Sequence, residues 1–493
     1  MLKKILSKLP QKLNKSVGSN SPPNDLKGSG NNEIKCIMSG KSSLSGLNVV
    51  KRMSAAIFPT SVAAGMEVVD PSLSFNDVPN SIKQNLCISK LNLCCIIHEE
   101  SANTIEKVTR CDLKHQALIE LVEYLSSGSA KFNESAVAAI CKMCAVNLFR
   151  VFPPKNRSSG CGGEIEDDQP VFDPSWSDLE IVYELLLRFI SYSSLDIKVA
   201  KKYVDCSFIL RLLDLFDSED PRERDCLKSI LHRIYAKFMV HRPFIRNAVC
   251  NIIYRFVYEN ERHNGIAELL EIFGCVISGF SSPLSAEHIT FLSRALMPLH
   301  KPKSLGTYHQ ELTYCVVQFI EKDQKLASTV ITGLLKYWPV TSSQKQLMFL
   351  SEIEEVLENC NMVEFQKVMV PLFRRMSSCI NCSHYQVAER ALLLLNNERY
   401  LNLIIHNLEA ILPIVIPALE LNTNNHWNRT VLNLTHNIKK IFTELDQRGV
   451  VFKRQEENLN AENQMSASEG LESAVNVHSG ARNFPSLVEP TAC

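Results

Sequence analysis

From about residue 76 to residue 447, apolar residues recur at three- and four-residue spacing, and the strict alternation of a half-buried strand is nearly absent. Glycine is scarce in this stretch and proline falls mainly between the periodic segments, so each segment reads as a helix with its own local stop. Examples are "ESAVAAICKMCAVNLFRVF", "LEIVYELLLRFISY", "GIAELLEIFGCVISGF" and "QKQLMFLSEIEEVLENC". About sixteen such helices over some 370 residues make about eight pairs of roughly 46 residues, near the HEAT and armadillo period of ~40–47. The expected fold is all-α, an α-solenoid of about eight HEAT-like helical repeats with disordered N- and C-terminal tails. A compact pair of all-α domains is the competing architecture, because the chain writes no fixed repeat word.

The flanks differ in kind. Residues 1–75 are rich in Ser, Gly, Asn and Lys and read as a disordered arm, and residues 448–493 read as a disordered polar tail around the 76–447 solenoid. Residues 153–174, "PPKNRSSGCGGEIEDDQPVFDP", form an acidic insertion longer than the usual link between packed helices, either a tolerated surface loop or a contact element. The opening "MLKKILSKLPQKLNKS" is basic, but Lys8, Pro10 and Lys12 break any apolar run, so a secretory signal is not expected. "LEAILPIVIPALEL", interrupted by Pro413 and Pro417, is too short for a membrane span. The 17 cysteines are therefore expected to remain thiols.

With 53 basic and 53 acidic residues, the chain lacks the basic excess that supplies nucleic-acid affinity. Any electrostatic function must be local. Catalysis is not expected: no phosphate-cradling G-x-x-x-x-G-K-[ST], no G-x-G-x-x-G and no H-E-x-x-H is present, and no cofactor is called for. Two CxxC pairs have the spacing of zinc ligands: Cys141/Cys144 lies within an apolar helix with no second ligand pair close by, and Cys379/Cys382 lies at a helix end with His384 nearby, so buried or partly exposed thiols are the plainer reading.

The densest charge lies in "LFDSEDPRERDCLKSILHRIYAKF", residues 215–238. Asp220 as N-cap, Pro221 at the first helical position and Glu223 two residues later match a D-x-x-E capping box, which assigns these acids to backbone amides. At 100° per residue Leu227, Ile230, Leu231, Ile234 and Phe238 share an apolar face, and His232, Arg233 and Lys237 fall off it. Residues 221–246 hold seven Lys or Arg against Glu223 and Asp225. Such a face is either simply solvated or docks acidic or phosphorylated peptides through charge-assisted hydrogen bonds.

These words are also similar to a known family. The run at 215–238, "YRFVYENERHNGIAELLEIFGCVISGF", "MPLHKPKSLGTYHQELTYCVVQFIEKD", "LLKYWP" and "HYQVAERALLLLNNE" resemble the B-prime regulatory subunits of protein phosphatase 2A, over about residues 76–445. The resemblance implies a non-enzymatic subunit that joins a scaffold subunit and a catalytic subunit and recruits substrates through short acidic or phosphorylated L-x-x-I-x-E motifs. It implies a cytoplasmic protein with the nucleus as a second compartment, and no nucleic-acid partner. Carried over by position, His232, Arg233 and Arg242 would receive acidic or phosphorylated groups, Tyr235, Ile272 and Val276 would line an apolar slot, and His288 would add a polar contact. Ser285 stands where the family leads one to expect a basic residue. The alternative is a helical-repeat adaptor or transport protein that binds extended peptides without a phosphatase. The chain's own "LSEIEE", residues 350–355, matches the motif by coincidence, since Leu350 and Ile353 fit the core stripe of a helix.

Overall fold

The computed structural model describes residues 69–96, 104–128, 130, 132–152, 173 and 175–447. The expected disorder of both tails, up to residue 68 and from 448 onward, and the insertion at 153–174 apart from Asp173 lie outside the described residues. Helices run Lys83–Cys94 (α1), Thr104–Ser126 (α2), Glu134–Leu148 (α3), Trp176–Ser191 (α4), Cys206–Asp214 (α5), Pro221–Lys237 (α6), Arg242–Arg255 (α7) and Ile266–Ser278 (α8). They continue as Ala286–Phe291 (α9), His309–Lys322 (α10), Leu326–Lys336 (α11), Ser343–Glu358 (α12), Met362–Ile380 (α13), Tyr385–Leu395 (α14), Glu398–Ile405 (α15), Leu408–Asn425 (α16) and a helix over 429–447 (α17). No strand occurs among the described residues.

The helices sort into two layers. In one, α2, α4, α6, α8, α10, α12 and α14 each pack on the next; in the other α1 packs on α3, α5 on α7, α11 on α13 and α13 on α16. Helices joined in sequence close the layers across the core, as α3 on α4, α11 on α12 and α13 on α14 do. Many bonds between successive repeats recur at a separation near 43, being 44 for Arg224–Glu268, 45 for Cys315–Leu270, 43 for His309–Glu352 and 42 for Asn422–Ile380, while others span 36 or 37, as Arg390–Glu354 and Ser377–Ile414 do. That recurrence is the repeat the sequence left unwritten. It makes the chain an α-solenoid in which each unit buries its apolar face on its neighbours.

One apolar core runs the length of this array, and the five apolar positions expected of α6 are all at 0–2 % exposure. Leu350 and Ile353 are likewise fully buried in α12, so the motif match there is core. Pro413 and Pro417 sit inside α16 rather than ending it. Phe75, stacked on Tyr124 at 4.4 Å, is buried, so packing begins slightly before residue 76.

The capping box at α6 is only half as expected. The Asp220 carboxylate accepts from the Arg222 amide at 2.9 Å and Pro221 holds the first helical position, whereas Glu223 does not return to the cap. The Ser218 hydroxyl takes that place at the Asp220 amide. Glu223, at 1 % exposure, instead accepts from Arg150 at 2.6 and 2.5 Å, from the Tyr183 hydroxyl at 2.6 Å and from Ser218 at 2.5 Å. A buried carboxylate needs its lone pairs filled, and a bidentate guanidinium fills two at once, which a helix cap does not.

Successive turns on one edge of the array also bond to each other. The Asn264 amide and side chain donate to Asp217, both at 3.0 Å, and a Cβ on Gly265 would lie 2.3 Å from the Phe216 carbonyl oxygen, so only glycine permits this approach. The next turn follows suit: Lys345 Nζ donates to the carbonyls of His300, Lys301 and Pro302 at 3.0–3.1 Å.

Candidate peptide-binding site

The charged run on α6 is largely neutralised by the fold. Arg222 pairs with Asp220, Arg224 with Glu268, Lys228 with Asp225 and Glu271, and Arg246 with Glu287. Lys237 donates to the Ile190 and Tyr192 carbonyls at the C-terminal end of α4, and Arg242 to the Tyr235 and Ala236 carbonyls at the end of α6. Arg233 alone of the seven is exposed and makes no hydrogen bond or ion pair with a described residue. The helix therefore presents one uncommitted guanidinium rather than a basic stripe.

The residues beside Arg233 take different roles. His232 is half-buried; burial, with Arg233 adding to it, lowers its pKa below the ordinary histidine value, so the ring is neutral at pH 7 and serves as a hydrogen-bonding group, not a cation. The Tyr235 ring lies under the Arg242 guanidinium at 5.2 Å, and its hydroxyl accepts from Arg246 at 3.3 Å. Arg242, Tyr235, Arg246 and Glu287 thus form a chain of contacts from the end of α6 across α7 to α9. Arg246 and Glu287 were missing from the sequence-based set, although Arg246 lies one helical turn after Arg242 and Glu287 immediately before His288.

On α8, Ile272 and Val276 are 2 % and 6 % exposed and belong to the main core. They are nonetheless brought to the helix that carries His232 and Tyr235. The pairs Arg224–Glu268 and Lys228–Glu271 set a parallel register of 44 and 43 residues between α6 and α8, and continuing it two turns brings His232 level with Val276. His288 stacks on Phe280 at 3.7 Å with the rings 5° from parallel, and its buried Nδ1 has no partner among the described residues. Burial, with Arg246 adding to it, lowers its pKa too. Ser285 is the N-cap of α9, its hydroxyl accepting from the His288 amide at 3.3 Å, so it positions His288 instead of supplying a charge.

An open cleft of about 570 Å³ lies between α7 and α9, lined by Arg246, Cys250, Tyr254, Phe280, Glu287 and His288 among others. Of the expected site residues only His288 lines it; Ile272, Val276, Arg233 and Tyr235 do not. Its one thiol, Cys250, is pushed up to about 11 by burial, which leaves it a poor nucleophile at neutral pH. Two of the CxxC thiols are similar: Cys141 and Cys379 are buried and pushed up to about 12, as core cysteines are. The arrangement offers donors, rings and an uncommitted cation, which is the equipment of recognition.

Residues 72–475 match the family described as "Protein phosphatase 2A regulatory B subunit (B56 family)". The chain is 59 % identical over 457 residues, 90 % of its length and 88 % of the relative's, to the B' kappa isoform of the 57 kDa regulatory subunit of serine/threonine protein phosphatase 2A from Oryza sativa subsp. japonica. It is 57 % identical over 462 residues to the B' kappa isoform of Arabidopsis thaliana, covering 91 % and 89 % of the two chains. It is also 57 % identical over 374 residues to the B' theta isoform of that plant, covering 76 % of each. With this coverage and the helical-repeat fold, the chain belongs to the B56 family of protein phosphatase 2A regulatory B subunits.

Proposed function

We propose that the chain is the substrate-recruiting member of a heterotrimeric serine/threonine phosphatase, that it binds a scaffold subunit and a catalytic subunit, and that it performs no chemistry itself. Its ligands are L-x-x-I-x-E segments with acidic or phosphorylated flanks, and it works in the cytoplasm and the nucleus. The observation that carries the recruiting role is Arg233: in a run where every other cation is occupied, this one stands exposed beside the neutral His232 and two residues before Tyr235, which stacks with Arg242. A ligand glutamate supplies the carboxylate that Arg233 lacks. The aliphatic anchors take the seam between α6 and α8 over Ile272 and Val276, each contributing about 1.5–3 kcal/mol when fully covered. The rim charge then selects for acidic ligands more than it adds affinity.

Calorimetry with an L-x-x-I-x-E peptide tests this directly. Binding of roughly micromolar strength is expected, and Arg233→Glu is expected to weaken it more than tenfold, about 1.4 kcal/mol or more, with no fall in melting temperature because the side chain is exposed. Unchanged affinity removes the peptide site from α6. Affinity purification of the chain should bring down scaffold and catalytic subunits together; their absence favours the adaptor reading.

A further inference from the structure

A second cleft, of about 730 Å³, opens between the turn at 300–307 and the segment 336–348, and it shares no lining residue with the α7–α9 cleft. Lys301, Lys303, Lys336 and Lys345 line it, together with Tyr337 and Trp338, and no aspartate or glutamate does. In a chain whose charges balance, that is an uneven distribution. It is also uncompensated: the ammonium groups of Lys301, Lys303 and Lys336 make no hydrogen bond or ion pair with a described residue, and that of Lys345 is fixed on three backbone carbonyls, which add no charge. Burial lowers the pKa of Lys345, and the carboxylate of Glu261, on the preceding turn, acts against that effect.

The apolar parts say what kind of anion fits. Lys301 Nζ sits 4.8 Å from the centre of the Tyr337 ring and 5.7 Å from that of Tyr258, and Lys336 Nζ 5.7 Å from Tyr337, so three neighbouring turns converge on this point. Val340 and Tyr258 flank it at 69 % and 61 % exposure. A free anion would satisfy the lysines but leave these surfaces in water. A nucleic acid would need a run of free ring faces on which to stack, whereas Tyr337 already carries Lys301 and Lys336 and Trp338 carries Arg375. No arginine lines the cleft, so the planar fork that grips phosphate in two places is missing and the cations act as point charges suited to carboxylates. We propose that this cleft is a docking site for an acidic protein segment that also carries exposed apolar side chains. The carboxylates meet Lys301, Lys303 and Lys336, the apolar residues cover Val340 and Tyr258, and Lys345 holds the cleft floor in place. This goes beyond the L-x-x-I-x-E reading and does not depend on it.

Fluorescence anisotropy with the full chain and a labelled twelve-residue peptide of six glutamates and two leucines, lacking the L-x-x-I-x-E pattern, tests the proposal. Binding is expected in low salt, falling as salt screens the rim. Lys301→Glu with Lys336→Glu is expected to weaken it at least tenfold while leaving the melting temperature and L-x-x-I-x-E affinity unchanged. Arg233→Glu should leave it intact. The proposal fails if the double variant binds equally well, if a twelve-nucleotide oligo-dT binds more tightly than the peptide, or if sulfate displaces the peptide beyond its effect as salt.

Discussion

Arg150→Met is expected to destabilise the chain by about 3–5 kcal/mol, because it leaves the Glu223 carboxylate buried without its cation. The two residues are 6 % and 1 % exposed, and Arg150 fills both carboxylate oxygens. Tyr183 and Ser218 still donate after the substitution, but two neutral hydroxyls do not replace a guanidinium. The surface pair Arg188–Glu184 makes the contrast: at 40 % and 42 % exposure it contributes about 0.3–0.5 kcal/mol, and breaking it should be hard to detect. The double variant Arg150→Met with Glu223→Gln removes the stranded charge and is expected to recover most of the loss. Chemical denaturation reads the energies. Hydrogen exchange should place the weakened protection in α4 and α6, since the carboxylate ties these neighbours to the residue just after α3 and a repeat array can open locally. A single variant within 1 kcal/mol of the parent would mean that water reaches Glu223.

That residue also marks where the sequence stops being readable. What is periodic was legible: the helices, the apolar face of α6 and the core role of Leu350 and Ile353 all follow from spacing within one helix. The fate of a charge depends on partners far along the chain. Glu223 looked like a cap because its helix start is two residues away, while Arg150 is 73 residues away. Glu287 reaches Arg246 over 41 residues, and Glu352 reaches His300 over 52. The same limit explains the site. Spacing put His232, Arg233 and Lys237 off the apolar face, but only the fold shows Lys237 and Arg242 used on carbonyls, Ser285 used as a cap, and the Arg233 side chain exposed with no hydrogen bond or ion pair to a described residue.

Glu352→Gln is expected to lower stability by roughly 3 kcal/mol, and this loss should depend on pH in a defined way. Glu352 sits at 0 % exposure in α12, between Leu350 and Ile353, and accepts from His300 at 3.0 Å and from His309 at 3.0 Å. Burial alone would raise its carboxyl, yet the charge and hydrogen bonds of His300, joined by His309, hold it down from the ordinary 4.5 to about 2. His300 is equally buried, and burial would lower it, but Glu352 overrides this and raises it above the ordinary histidine value. The glutamate's depressed pKa gives stability that is complete above its unfolded value near 4.5 and is lost as pH falls toward 2. The histidine's raised pKa gives stability that is complete below about 6.5 and is lost as pH rises through its folded value. The gap in melting temperature between parent and Glu352→Gln should therefore be widest between about pH 4.5 and 6.5 and narrow on both sides. A gap that stays constant from pH 3 to 8 would show that the carboxylate and imidazole are not an ion pair. The pair also bears on recognition: the His300 carbonyl is one of three that hold Lys345, so the clamp between α12 and residue 300 supports the floor of the lysine cleft.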